Sequence, residues 1–189
     1  MKTGYRAFPM DRAKGIAMLI LDVDGVLTDG RIIIDDNGME YKGFNVRDGH
    51  GIKMLQRCGI DVGILTGRTS DVVIHRAREL GIKAMVQGSL NKLEGLERLL
   101  RQADVGVEQC AYMGDDVVDL PPMRLCRLSF APNDAHPSLM EQVDWVSDFR
   151  GGHGAVRQAV EGLILAAGHW ERVVERPYGV TSAGAGWRL

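Results

Sequence analysis

Residues 18–25 read MLILDVDG: four apolar residues run without a break into two acids and stop at a glycine. A continuous apolar run of this length suits a strand covered on both faces in a parallel sheet. The pattern recurs. Val62 to Leu65 ends at Thr66-Gly67-Arg68, and Cys110 to Met113 ends at Gly114-Asp115-Asp116. Ala84 to Val86 is a weaker third strand, and Leu128–Phe130 and Trp145–Val146 are short later ones. Between them lie helical patterns. Lys92 to Ala103 places Leu93, Leu96, Leu99 and Leu100 on one stripe, and Ala155 to Val174 places Val156, Val160, Leu163, Ile164 and Ala167 on another. Ser70 reads as the N-cap of a helix that Gly81 stops. Strands alternating with helices predict an α/β fold with right-handed crossovers and an open parallel sheet.

One stretch departs from the alternation. Arg31–Ile34 and Met39–Phe44 flank Asp35-Asp36-Asn37-Gly38, and Asn-Gly between β-prone runs signals a hairpin. Placed just after the acids of the first strand, the hairpin is expected to form a flap over them. The 189 residues suit one domain, with residues 16–176 forming it, 1–15 as an N-terminal extension and the glycine-rich 177–189 as a flexible tail. Lys plus Arg number 23 and Asp plus Glu 25, a net charge of −2, so no global field draws in nucleic acid or an anionic membrane. Cys58, Cys110 and Cys126 are odd in number and lack CxxC spacing, which indicates reduced thiols. With no leader-like apolar stretch near Lys2 and Arg6, a cytoplasmic location is expected.

In an open α/β sheet ligands bind at the carboxyl ends of the strands. Asp22, Asp24, Thr66, Asp115, Asp116 and Asp119 are therefore expected to converge there, with Lys92 at a nearby helix start. Phosphate-ester hydrolysis needs such a set: a nucleophile, a proton source for the leaving alcohol, and cations against the phosphoryl oxygens. Asp22 and Asp24, two apart, read as nucleophile and acid. Magnesium favours carboxylate, phosphate and water oxygens, and Asp22 and Asp115 supply two such ligands. Thr66 reads as a phosphate donor, Lys92 as the positive charge, and Asp119 as a supporting acid. The five histidines show no metal-ligand spacing, and neither GxGxxG nor a P-loop is present.

The series DVDGVLTDG (22–30), LTGR (65–68), Lys92 and GDDVVD (114–119) resembles the haloacid dehalogenase superfamily of phosphatases. FNVRDGHGIK (44–53), QGSLNK (87–92), DAHP (134–137) and GGHGAVR (151–157) narrow it to the 3-deoxy-D-manno-octulosonate 8-phosphate phosphatase family, over about residues 17–167. The resemblance implies a three-layer Rossmann-like fold without a large cap domain, and homotetramers whose neighbouring subunits help close each site. It implies that Asp22 is nucleophile and magnesium ligand, that Asp24 is acid/base and lends its carbonyl to the metal, and that Asp115 is the other carboxylate ligand. Asp116 and Asp119 would stand behind them. Thr66 and Lys92 would hold the phosphoryl group. Asp24, Asn45, Val46, Arg47, Asp48, Gly49, Lys53, Arg68, Arg76 and Lys92 would touch the sugar acid phosphate. The implied product feeds lipopolysaccharide synthesis.

Three other readings compete. A phosphatase for a nine-carbon keto-sugar acid phosphate would share the catalytic core. A receiver-type phosphoacceptor domain also sets acids, Thr and Lys on a parallel sheet, but it lacks an acid two residues beyond the phosphorylated one. A non-catalytic module would not need all of Asp22, Asp24, Lys92 and Asp115.

Overall fold

Burial of β1, β6 and β7 along their whole length explains why the sheet can be all-parallel. The computed structural model describes residues 7–182. In chain order its elements are α1 (Met10–Ala13), β1 (Met18–Leu21), β2 (Ile33–Ile34), β3 (Glu40–Tyr41), α2 (Val46–Arg57), β4 (Asp61–Leu65), α3 (Asp71–Leu80), β5 (Ala84–Val86) and α4 (Lys92–Ala103). There follow β6 (Cys110–Met113), α5 (Leu120–Met123), β7 (Leu128–Ala131), α6 (Pro137–Met140), β8 (Trp145–Val146), α7 (Ala155–Ala166) and α8 (Arg176–Tyr178). The main sheet runs β5-β4-β1-β6-β7-β8, every pair parallel, while β2 and β3 form a separate antiparallel hairpin.

Side chains alternate across β1. Leu19 and Leu21 join one core with residues of α2, α3 and α7; Met18 and Ile20 join the other with residues of α4, Met123 and Leu139. The result is the expected three-layer sandwich. β1 lies between β4 and β6, so its carboxyl end faces the ends of both. Backbone pairing continues one step past the strand, where Asp22 N–H donates to the Met113 carbonyl at 3.1 Å.

Several details differ from the sequence pattern. Leu93 is exposed, because the buried face of α4 is centred on Lys92, Gly95, Leu96 and Leu99. The helix expected over 155–174 stops at Ala166; Gly168 takes φ +70, and a π-helical turn (Glu171–Glu175) then buries Val173 and Val174. Ser70 sits at the N-cap of α3 without a side-chain capping bond, whereas Gly81 does close that helix in the left-handed conformation. The flanking segments also join the domain. Phe8 and Ala13, in the stretch read as an extension, are buried, and the Phe8 ring lies 5.4 Å from that of Phe130 and 5.2 Å from that of Trp145. Gly162 leaves room for it, since a β-carbon there would stand 2.5 Å from the ring. At the other end Pro177 and Tyr178 belong to α8, Trp170 Nε1 donates to the Val180 carbonyl at 2.9 Å, and only 183–189 of the expected tail lie outside the described residues.

Replacing Phe8 with alanine removes a ring from this aromatic cluster. Phe8→Ala is expected to cost about 3–5 kcal/mol of unfolding free energy, measured by urea denaturation. A cost near zero would mean that the N-terminal stretch is not part of the cooperative core.

Candidate active site

The turn after β1 is built to present acids. Three successive N–H groups, of Val26, Leu27 and Thr28, point at the Val23 carbonyl. The Thr28 hydroxyl accepts from Gly25 and Gly30 N–H at 3.4 and 3.2 Å. Gly25 is required twice over. Its φ is +87, and a β-carbon there would lie 2.1 Å from Asp115 Oδ2. The same close approach brings the Asp115 carboxylate to the turn that carries Asp22 and Asp24.

Lys92 reaches this point because Asn91 caps α4, accepting from Leu93 N–H at 3.2 Å. Gly95 lets the helix settle on β4, where a β-carbon would meet Leu65 at 2.5 Å. The buried Lys92 ammonium donates to Asp22 Oδ2 at 2.7 Å and to Asp119 Oδ1. Asp22 Oδ1 accepts from Val23 N–H at 2.7 Å. Asp119 is fully buried and saturated: Oδ1 takes Lys92 and the Tyr112 hydroxyl (2.8 Å), and Oδ2 takes the N–H groups of Asp115 and Asp116 at 3.2 and 3.3 Å. Those four donors occupy its four acceptor directions. Gly114 admits this packing, since a β-carbon there would lie 2.4 Å from Asp119 Cγ.

Carboxylate oxygens of Asp22, Asp115 and Asp119 all lie within 4.8 Å of one another. Two buried acids and a half-buried one face one ammonium, and the electrostatics register the imbalance. Burial, then the charge of Asp119, pushes the Asp22 carboxyl up to about 6 against the pull of Lys92. Burial, then the charges of Asp22 and Asp119, raises Asp115 to about 8. Burial draws the Lys92 ammonium down, but Asp22 and Asp119 together outweigh it and hold it above the usual lysine range. A divalent cation among hard oxygen donors would cancel this excess charge, and the donor set fits magnesium. Asp119, with its oxygens taken, orients the site rather than offering a free ligand atom.

Thr66, buried at the end of β4, accepts from Arg68 N–H on its hydroxyl at 3.3 Å. Asp24 lies on the other side of the turn, toward the hairpin. Its Oδ1 pairs with the Lys42 ammonium and its Oδ2 lies 3.7 Å from Arg68 Nε. Asp116 is exposed and caps the 3₁₀ turn Val117–Asp119 through Val117 N–H.

The remaining sequence candidates are placed less uniformly. Asn45 caps α2 through Arg47 N–H at 2.8 Å and donates to the Gly152 carbonyl at 3.1 Å. Val46 and Arg47 are exposed. Asp48 is buried at 1% exposure, and its carboxylate accepts from Arg157 N–H (2.8 Å) and Gly154 N–H (3.3 Å) at the start of α7. Gly49 makes room for Arg76, whose guanidinium nitrogen would lie 2.2 Å from a β-carbon there. Arg76 itself pairs with Glu79 at 2.7 Å and stands over the Phe44 ring. Lys53 approaches Gly81 at the C-terminal end of α3, the end away from the acids, because α2 runs antiparallel to the strands, from their carboxyl ends toward their amino ends. No hydrogen bond or ion pair among the described residues ties Lys53 or Arg76 to the acids. Sequence reasoning missed Lys42, Glu40 and Tyr112. The first two carried a signal: charges two apart in a β-prone run share a face.

A parallel sheet with acids gathered at its carboxyl ends is the architecture of a hydrolase class, and residues 84–158 match the family model of haloacid dehalogenase-like hydrolases. The chain is 46% identical over 159 residues to the 3-deoxy-D-manno-octulosonate 8-phosphate phosphatase of Salmonella typhi, covering 84% of this chain and 85% of that one. It superposes on the crystal structure of the Yersinia pestis phosphatase of the same name with a TM-score of 0.83 at 44% identity, covering 86% and 88% of the two chains. The Moraxella catarrhalis phosphatase, solved with magnesium, phosphate and the sugar acid, superposes with a TM-score of 0.85 at 35% identity, covering 88% and 96%. The chain belongs to the 3-deoxy-D-manno-octulosonate 8-phosphate phosphatase family. It is a phosphatase.

Raised acid pKa values fix the sign of a pH dependence. The folded, metal-free protein holds protons on Asp22 and Asp115 that the unfolded chain has released, so their contribution to stability falls as pH rises from about 4 through 8. Magnesium is therefore expected to raise the melting temperature by several degrees at about pH 8 and far less at about pH 5. Asp115→Asn should raise the metal-free melting temperature at about pH 8 and remove the magnesium response. A response independent of pH and of Asp115 would contradict this electrostatic reading.

Proposed function

We propose that the chain hydrolyses 3-deoxy-D-manno-octulosonate 8-phosphate through an aspartyl-phosphate on Asp22. The observation that carries this reading is the buried Asp22–Lys92–Asp119 network with Asp115 beside it, at the carboxyl ends of β1 and β6. In the first step an Asp22 oxygen bonds to phosphorus while the bond from phosphorus to the sugar oxygen breaks. The departing oxygen takes a proton from Asp24. In the second step water attacks phosphorus, Asp24 accepts a water proton, and Asp22 is released with phosphate. Asp22, Asp115 and the Asp24 carbonyl would hold magnesium, which supplies positive charge against the phosphoryl oxygens. Lys92 orients Asp22 and balances charge, and Thr66 stands ready to donate to phosphate.

Arg68 flanks the site at its exposed side, and its planar fork suits the substrate carboxylate. Asn45 and Gly49 support this mouth through the α2 start. The substrate assignment follows the names of the relatives, and the family resemblance of the motifs supports reading the product as a lipopolysaccharide precursor. Free thiols at Cys58, Cys110 and Cys126 agree with a cytoplasmic setting, and among the described residues no helix is long and apolar enough to cross a membrane.

The hairpin supports a homotetramer. Ile32, Ile33, Ile34, Met39 and Tyr41 expose roughly half or more of their surface on one small ribbon beside the site. A contiguous apolar ribbon with an unpaired edge is suited to cover by further copies of the chain.

Asp22→Asn is expected to lower phosphate release by at least about 1,000-fold while the protein stays folded, checked by circular dichroism. Excess chelator should stop the wild-type enzyme. Phosphate release across eight- and nine-carbon keto-sugar acid phosphates decides the substrate, with the eight-carbon ester expected to give the higher kcat/KM. A persistent phospho-protein with negligible turnover would instead favour a phosphoacceptor role.

A further inference from the structure

The hairpin is exposed along most of its length, yet its Lys42 side chain is only 1% exposed. Buried ammonium groups are costly unless paired. Here the pairing forms a closed ring of alternating charge. Lys42 Nζ contacts Asp24 Oδ1 and lies 3.4 Å from Glu40 Oε1; Glu40 Oε1 accepts from Arg68 at 2.8 Å; and Arg68 Nε returns to Asp24 Oδ2 at 3.7 Å. Both Asp24 oxygens thus face cations that come from outside the turn carrying Asp24. Val23 is fully buried and Gly25 adjoins Asp115, so the backbone of the turn is held, while among the described residues Lys42 and Arg68 are the cations that meet the Asp24 carboxylate.

We propose that Lys42 is a positioning residue for the reaction: it holds the Asp24 carboxylate in the orientation that delivers a proton to the leaving oxygen, and so makes closure of the hairpin a condition for fast cleavage. The inference rests on the reading of Asp24 as the acid/base and extends it. Glu40 balances the two cations and keeps Lys42 from swinging into the phosphate site. Ordering of the hairpin, by substrate or by a neighbouring copy, then transmits to the chemistry through one ammonium.

The test uses leaving groups. A sugar oxygen needs a proton as it departs, whereas p-nitrophenolate does not, and kcat/KM reports the steps up to alcohol release. General acid assistance is worth about 10²–10⁴-fold. Lys42→Met fills the buried slot with an uncharged chain of similar length. It is expected to lower kcat/KM about 100-fold for both the sugar acid phosphate and arabinose 5-phosphate, an alkyl ester without a carboxylate, and less than about 5-fold for p-nitrophenyl phosphate. Lys42→Arg should restore at least about tenfold of the loss on the alkyl esters. Should Lys42→Met not fold, Lys42→Gln, whose amide still donates, is expected to show the same discrimination at about tenfold. Uniform loss on all three esters marks a structural role, loss on the sugar acid alone marks a carboxylate contact, and no loss marks no role; each overturns the proposal. Asp24→Asn in the same panel separates the two levels. If it loses activity uniformly, the acid/base reading fails; if it discriminates by leaving group and Lys42→Met does not, only the present inference fails.

Discussion

Three carboxylates share one buried cleft with a single lysine, and their mutual repulsion is the constraint around which this molecule is arranged. Water would screen Asp22, Asp115 and Asp119 if they were exposed. Withdrawn from solvent among β1, β6 and α4, Asp22 and Asp115 retain protons at pH values where ordinary carboxylates have lost them. The fold tolerates the strain because each acid is held by something else: Asp22 by Lys92 and Val23 N–H, Asp119 by four donors, and Asp115 by the close packing of its carboxylate against Gly25. A divalent cation would relieve what remains.

The two acids of the DVDG turn live in different surroundings. Asp22 is tied to the sheet side, through a lysine at the start of a helix capped by Asn91. Asp24 is tied to the hairpin side, through Lys42 and Arg68. Under the proposed mechanism, the sheet frames the residue that must be fixed and the hairpin frames the one that must act twice. The hairpin also bears the exposed isoleucines, so whatever covers that ribbon bears on Asp24 through a single connected element.

Much of this was readable in the chain. The strands were legible because burial on both faces demands uninterrupted apolar runs, and the ends of those runs located Asp22, Thr66 and Asp115. Lys92 was legible because a lysine at a helix start after a polar turn has few other reasons to be there. What escaped reading depends on contacts distant in sequence. Phe8 meets Phe130 and Trp145 across more than a hundred residues, and nothing local marks it as core. Asp48 reads as a ligand residue within its motif, and its contacts with the start of a helix beginning at Ala155 are not visible there. Lys53 was carried in by the same motif, but helical rise takes it about 10 Å down α2 from Val46. Lys42 was passed over because a lysine in a hairpin ordinarily points to solvent, and only the tertiary position of Asp24 turns it inward.

Proton release on metal binding tests the central claim most directly. Magnesium titrated calorimetrically into the protein near pH 7, in buffers of different ionisation enthalpy, gives the number of protons displaced per ion bound. With Asp115 held at about 8 and Asp22 at about 6, binding should release on the order of one proton, mainly from Asp115, and Asp115→Asn should abolish that release. Magnesium binding with no proton released, or with release unchanged in Asp115→Asn, would show that the buried acids do not carry the repulsion on which the account stands.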